Sequence, residues 1–268
     1  MASMILRRLR QLLGARTATP ATEIPSGERV YAVGDIHGRA DLFAALIEGI
    51  DGDDAARRTA RTTVILLGDL IDRGPDSAGV IRLAREWQGR RTVRILAGNH
   101  EEMFLEALDD ERTMRQFLRF GGREMLLSYP LERHDYDRAE LSEMADLVRR
   151  VVPSEHITFI RSFEDQIRIG DYLFVHAGVR PGVALTAQQT GDLRWIREDF
   201  LRHDESFGPI VVHGHTISQA PEFRHNRIGI DTGAYRSGQL TALGLEGARR
   251  WILNAVDEGG AVSLRHAA

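Results

Sequence analysis

The sequence predicts an α/β fold with a mixed sheet system, and three observations carry that prediction. Apolar, β-branched runs alternate with helix-patterned runs through the N-terminal half, and each run ends in a short polar loop rich in glycine. Beyond a long helix-patterned stretch the chain changes to strands of antiparallel character, so parallel and antiparallel pairing are expected together. With 268 residues and 43% hydrophobic content, the chain can bury one large core around such sheets.

The first strand is Arg29–Val33, followed by Gly34-Asp35-Ile36-His37-Gly38 and a helix whose Leu42, Phe43, Leu46, Ile47 and Ile50 recur at helical spacing. Strand Thr63–Leu67 then runs into Gly68-Asp69-Leu70-Ile71-Asp72-Arg73-Gly74, with Ser77–Trp87 as its helix. Strand Thr92–Ala97 ends in Gly98-Asn99-His100-Glu101, where a further helix starts. In each unit the loop sits at the C-terminal end of a strand, where open α/β sheets bind ligands. Residues 103–161 read as a helical insertion, broken at Gly121-Gly122, Tyr129-Pro130 and Val152-Pro153. Strands resume at Gln166–Ile169 and Tyr172–Val175 around the turn Gly170-Asp171. They continue at Pro209–Val212, Arg227–Ile230, Gln239–Leu245 and Arg250–Val256.

The expected organisation is a basic N-terminal segment and linker over 1–27, one domain over 28–257 with its insertion at about 103–161, and a C-terminal tail over 258–268. The opening MASMILRRLRQLL sets Arg7, Arg8 and Arg10 among leucines and reads as a short docked or frayed helix rather than a secretory leader.

Composition excludes several chemistries. The chain has no cysteine, so disulfides, thiolate-bound zinc and a cysteine nucleophile are ruled out, and any metal must be held by nitrogen and oxygen. A net charge of −4 argues against a general nucleic-acid partner. No run approaches the ~18–20 apolar residues that span a bilayer, and a cytoplasmic location is expected.

The polar residues that carry chemistry lie in GDIHG (34–38), GDLIDRG (68–74), GNHE (98–101), HAG (176–178) and HGH (213–215), each directly after an apolar strand. Residues two apart in an extended segment point the same way, so Asp35 and His37 can bind one ion together. Asp69 can offer one oxygen to each of two ions, and Asn99, His176 and one of the two HGH histidines can complete the second site. Such oxygen and imidazole donors suit manganese, iron or zinc. Taken singly, each motif has a plainer reading as a helix cap, a turn or a buried histidine. All of them in this order, each at a strand end, favour a metal centre.

This series resembles the phosphoprotein phosphatase family of calcineurin-like metallophosphatases, in its compact bacterial and phage branch, which also includes diadenosine tetraphosphatase relatives. The likeness runs from about Arg29 to about Leu245, with echoes in Phe120-Gly121-Gly122, Val179-Arg180-Pro181-Gly182, Trp195-Ile196-Arg197 and Asp231-Thr232-Gly233. It implies a central mixed β-sandwich flanked by helices, a four-layer αββα arrangement, with a dinuclear metal site. By the same resemblance, Asp35 and His37 match first-metal ligands, Asp69 the bridging ligand, and Asn99, His176 and His215 second-metal ligands. His100 matches the catalytic acid, Asp72 the residue that orients it, and Arg73 a phosphate-binding arginine. Of the HGH pair, His215 is chosen for its Gly-His-Thr position, which leaves His213 a supporting or structural role. For the second phosphate-binding arginine Arg197 is the choice and Arg194 the alternative.

The expected activity is hydrolysis of phosphate monoesters, foremost phosphoserine and phosphothreonine in proteins, by direct attack of a hydroxide held between two divalent ions. Manganese is the first choice of ion, with iron or zinc as alternatives. The alternative is hydrolysis of dinucleoside polyphosphates on the same core. A more remote one is a phosphate-binding scaffold without catalysis, disfavoured because every expected position is filled.

Overall fold

The computed structural model describes residues 22–267. Most of the basic N-terminal segment therefore lies outside the described residues. The end of the expected linker does not stand free: Ile24 is buried and its N–H donates to the Gly247 carbonyl at 3.0 Å.

The strands form two sheets. The larger contains β1 (Glu28–Val33), β2 (Arg61–Leu66), β3 (Val93–Ile95), β9 (Gln239–Glu246), β10 (Arg249–Asp257) and β11 (Val262–Ala267) in the order β11-β10-β9-β1-β2-β3. Its β1, β2 and β3 are parallel, whereas β1–β9, β9–β10 and β10–β11 are antiparallel. The smaller contains β4 (Gln166–Ile169), β5 (Tyr172–Val175), β6 (Ile210–His213), β7 (Glu222–Phe223) and β8 (Arg227–Gly229) in the order β4-β5-β6-β8-β7.

Two expectations are corrected here. Residues 258–268 are not simply a tail, because Val262–Ala267 pairs along β10 as the edge strand of the larger sheet. Nor is the C-terminal run of strands uniformly antiparallel: β5–β6 and β6–β8 are parallel, because long connections carry the chain back to the same end of the sheet before each strand.

Period-two alternation decides the layering. Val30 and Ala32 of β1 point into a cluster with Phe174, Val212, Ile228 and Leu243, which is the interior between the sheets. Tyr31 and Val33 point the other way, into the core under α1 (Ala40–Ala56) and α2 (Ser77–Gln88), with Phe43 and Trp87. A third cluster covers the outer face of the smaller sheet, where Leu173, Val175 and Val211 meet Leu193 of α9 (Thr190–Trp195), Phe200 of α10 (Glu198–Leu201) and Ile196 between them. Strands buried on both faces read as continuous apolar runs rather than alternating ones. The result is helix, sheet, sheet, helix.

Residues between β3 and β4 are helical: α3 (Asn99–Ala107), α4 (Glu111–Phe117), α5 (Arg123–Leu127), α6 (Arg133–Arg138), α7 (Met144–Val151) and α8 (Ser154–Arg161). The chain departs from regular helix at the sequence-predicted glycines, where Gly121 has φ +119°, and turns between α7 and α8 at Val152-Pro153. Two breaks were not anticipated, one at 139–140, where the backbone is extended, and one before α4. Asp110 caps α4 by accepting from the Thr113 N–H at 2.7 Å, which ends α3 early. Among the described residues no helix is long and apolar enough to cross a membrane.

Gly244 of β9 lies under Trp251 so closely that a Cβ would meet the indole at 2.0 Å. Gly244→Ala is therefore expected to destabilise the fold by about 1–3 kcal/mol through overpacking. Gly52→Ala, at an exposed position inside α1 with nothing within 4 Å of the added Cβ, should stabilise by up to about 1 kcal/mol. Urea unfolding of both variants against the parent tests the pair of signs.

Candidate metal centre

The parallel strands of both sheets deliver their following loops to one place. Asp35 and His37 follow β1, Asp69 to Arg73 follow β2, Asn99 and His100 open α3 after β3, His176 follows β5, and His215 follows the end of β6. All the residues in this group except Arg73 are buried. Among the described residues, the non-glycine residues with positive φ are His37, Asp69, Asp72, Arg73 and His215. Each is a sequence-predicted site residue. Left-handed backbone of this kind persists in non-glycine residues where the surroundings enforce it, and it clusters at functional sites.

Asp69 is the centre of the arrangement. Its Oδ2 lies 3.4 Å from His37 Nε2 and 4.0 Å from His100 Nε2, and its Oδ1 lies 3.5 Å from His176 Nε2. Asn99 Oδ1 is 3.1 Å from His176 Nε2 and 2.8 Å from His215 Nδ1. Donor atoms of His37, Asp69 and His100 all lie within 4.8 Å of one another, as do those of Asp69, His176 and His215. Asp69 belongs to both groups.

The backbone around Asp69 is fixed by a neighbour that sequence reasoning left out of the site. Buried Glu101 accepts N–H hydrogen bonds from Gly98 at 2.9 Å, Asp69 at 2.9 Å and Leu70 at 2.7 Å. A signal was present: glutamate three residues after the Gly98 helix cap is capping-box spacing, and here the same carboxylate also reaches the second loop. Close approach requires glycine at two positions. A Cβ on Gly98 would meet Asp69 Oδ1 at 2.1 Å, and one on Gly214 would meet Asp35 Oδ1 at 2.0 Å.

The donor set fits divalent cations. His37 Nδ1 and His176 Nδ1 each lie 2.8 Å from a backbone carbonyl, of Ile71 and Leu67, so each donates there and presents Nε2 with its lone pair free. Burial holds His37 well below its usual pKa and His176 at about 4, which keeps both neutral and able to ligate. Burial also pushes the carboxyls of Asp35 and Asp69 up, as does Asp231 near each of them. Buried carboxylates crowded together in this way are stabilised as anions by a cation between them.

Asp35 stands apart from the two donor groups, with its oxygens accepting from the His215 N–H at 3.0 and 3.2 Å. It neighbours buried Asp231, whose carboxylate accepts from the Gly233 N–H at 2.8 Å. Asp231 stood in the sequence as part of the Asp231-Thr232-Gly233 echo, without a role of its own. Tyr235 gave no signal: its ring stands edge-on to His37 at 5.3 Å, with the Arg73 guanidinium 4.9 Å over it.

His100 is held at both nitrogens. Nδ1 is 2.6 Å from Asp72 Oδ2, and Nε2 is 2.8 Å from Arg73 Nη2. Burial raises Asp72, with Glu101 adding to the effect, and burial lowers His100. His213 lies away from these groups, its ring edge-on to Phe200 at 5.0 Å and its Nδ1 at the Gly214 carbonyl. The two candidate arginines differ. Arg194 is committed to Asp165 at 2.6 Å and Glu102 at 3.2 Å, whereas Arg197 is exposed and its charge acts on His215 and Asp231.

The sequence model of the calcineurin-like phosphoesterase family matches residues 28–237. The asymmetrical bis(5'-nucleosyl)-tetraphosphatase PrpE of Bacillus velezensis is 28% identical over 78% of this chain and 86% of its own, and relatives from further Bacillus, Anoxybacillus and Geobacillus species share its name. Serine/threonine-protein phosphatase 1 of Salmonella typhimurium is 28% identical over 82% of this chain and 93% of its own. A cold-active protein-tyrosine phosphatase from a Shewanella species has the same fold, with a TM-score of 0.54, 18% identity, and coverage of 94% of this chain and 85% of that one.

Asp69→Asn is expected to lose at least half of the metal bound by the parent after reconstitution with manganese, measured by elemental analysis of desalted protein. Glu101→Gln should weaken metal binding about 10–100-fold through the displaced Asp69 backbone. Undiminished metal content in both variants would remove Asp69 from the centre of the site.

Proposed function

We propose that this chain, which belongs to the calcineurin-like phosphoesterase family, holds two divalent cations and uses them to hydrolyse dinucleoside tetraphosphates. The observation that carries the reaction class is the position of Asp69, one oxygen facing His37 and the other His176. Asp35, His37, Asp69, Asn99, His176 and His215 would hold the cations, with manganese the first choice and iron or zinc the alternatives. When bound, such a pair offsets the charge of the phosphoryl oxygens and activates water near neutral pH.

The remaining steps belong to side chains of the chain itself. Arg73 binds a phosphoryl oxygen through its permanently charged guanidinium, and Arg197 supplies a second such contact. As Arg73 turns to the substrate it leaves His100 Nε2, 2.8 Å away, free to take up a proton from solvent. His100 then delivers that proton to the leaving oxygen, while Asp72 fixes the ring through Nδ1.

The tetraphosphate reading is supported by the recurrence of that activity in the names of relatives that align over most of this chain. It replaces the preference for phosphoserine and phosphothreonine that the motifs alone suggested. The protein phosphatase reading remains second, favoured by the Salmonella relative and by the His100–Asp72 pair, since a serine alkoxide needs a proton more than a phosphate leaving group does.

Parallel assays of diadenosine tetraphosphate and a phosphoserine peptide, on protein loaded separately with manganese, zinc and iron, test the substrate. Turnover of the peptide alone overturns the tetraphosphate reading. His100→Asn should retain metal and lower kcat by about 10²–10⁴-fold on a phosphoserine peptide. The loss should be much smaller on p-nitrophenyl phosphate, whose leaving group departs without a proton. Equal losses on both would take His100 out of the proton-donor role.

A further inference from the structure

Among the described residues, Trp195 is one of the large hydrophobic side chains left exposed, at 45%. Trp87 and Trp251 are 0% and 8% exposed. The indole of Trp195 is not loose. Its Nε1–H donates to the carboxylate of Glu102, the second residue after His100 on α3. Glu102 is itself fixed by Arg194, which also binds Asp165. Behind this, the Leu193 carbonyl accepts from the Ala177 N–H at 2.8 Å, which ties the segment to the residue after His176. The polar edge of the ring is thus anchored on the wall of the metal centre while much of the ring stays open to solvent.

The next two residues determine what stands beside it. After α9 the chain is extended at Ile196, φ −61° and ψ 143°, and the Ile196 side chain turns inward against Leu193 and Phe200. Trp195 and Arg197 are consequently the two residues left outward on either side of it. Arg197 makes no ion pair among the described residues, and its charge acts on His215 and Asp231 of the metal centre. One short segment therefore presents a guanidinium whose charge is felt at His215 and Asp231 and, next to it, an aromatic face held by Glu102.

We infer that Trp195 is a stacking platform for the nucleobase of the substrate, working with Arg197, which grips the phosphate chain of the same nucleotide. The inference rests on the tetraphosphate reading above and adds how the base is recognised. A phosphate joined to a flat aromatic group through a ribose matches a guanidinium and an indole side by side, and base–aromatic stacking tolerates any base because each has a π-face. A phosphoserine peptide carries no aromatic group fixed relative to its phosphate. The Glu102 and Arg194 contacts lower the entropic cost of binding by holding the ring in place beforehand.

Two measurements on the full, manganese-loaded chain test this. With the other two tryptophans buried, emission from Trp195 should be quenched saturably by a non-hydrolysable ATP analogue and not by inorganic tripolyphosphate. Absence of quenching, or equal quenching by both, overturns the inference. In kinetics, Trp195→Ala should raise the KM for diadenosine tetraphosphate relative to that for a phosphoserine peptide by about tenfold, and Trp195→Phe should recover most of the difference. An unchanged ratio, or a larger response on a phosphotyrosine peptide, also overturns it. If the parent cleaves peptide but no tetraphosphate, the substrate reading fails on its own, and the quenching result still decides the role of Trp195.

Discussion

Asp69 has to be buried, aimed and available as an anion at once, and much of the architecture follows from that demand. Burying a carboxylate is costly unless hydrogen bonds and opposite charge compensate it. Here Asp69 shares its surroundings with the buried acids Asp35, Asp72, Glu101 and Asp231. The chain answers with backbone donors: Glu101 gathers N–H groups from two loops, Asp69 takes the His100 N–H at 3.0 Å, Asp35 takes the His215 N–H and Asp231 the Gly233 N–H. These contacts orient the carboxylates but supply no positive charge. The cluster is a frame shaped around cations, with neutral imidazoles completing it.

That frame explains the use of two sheets. Loops from β1, β2 and β3 give one half of the candidate ligand set, and loops after β5 and β6 give the other. They meet because the parallel strands of both sheets end on the same side of a common interior packed with residues such as Val30, Phe174 and Val212. Displacing one sheet against the other would part His176 from Asn99, now 3.1 Å apart. The site is therefore only as well defined as the packing beneath it, and the positive φ of His37, Asp69 and His215 is the local conformational cost of bending short loops inward.

Much of this was legible in the residues. The strand–loop–helix units were visible because β1, β2 and their helices keep clean apolar periodicity, and the donors stood out because they sit directly after those strands. What was hidden has physical reasons. Val262–Ala267 lacks a long apolar run, as expected of an edge strand with less to bury, so it passed as a tail. The parallel pairing of β5, β6 and β8 depends on where long connections return, which side-chain pattern does not encode. Glu101 belonged to a quoted motif, yet its reach to the Asp69 loop is a tertiary fact. Tyr235 meets His37 only because α11 (Ala234–Ser237) turns back over the β1 loop.

Choice of substrate is a separate problem from the chemistry of the core. Cleaving a phosphoanhydride and cleaving a serine phosphate both require charge offset at the phosphoryl oxygens and an activated water, so the residues around Asp69 serve either reaction. They differ in the leaving group. A nucleotide leaves as a stabilised phosphate anion, whereas a serine leaves as a strongly basic alkoxide, so a proton donor is needed far more by the second. A general acid on a site is thus compatible with anhydride cleavage without being evidence for it. Discrimination has to come from whatever the leaving group touches beyond its first oxygen. The rim where Arg197 and Trp195 lie exposed at the end of α9, outside the buried frame, is the region proposed for that contact. A rim lying outside the buried charge cluster can vary without disturbing it, and relatives of this chain are named for quite different substrates.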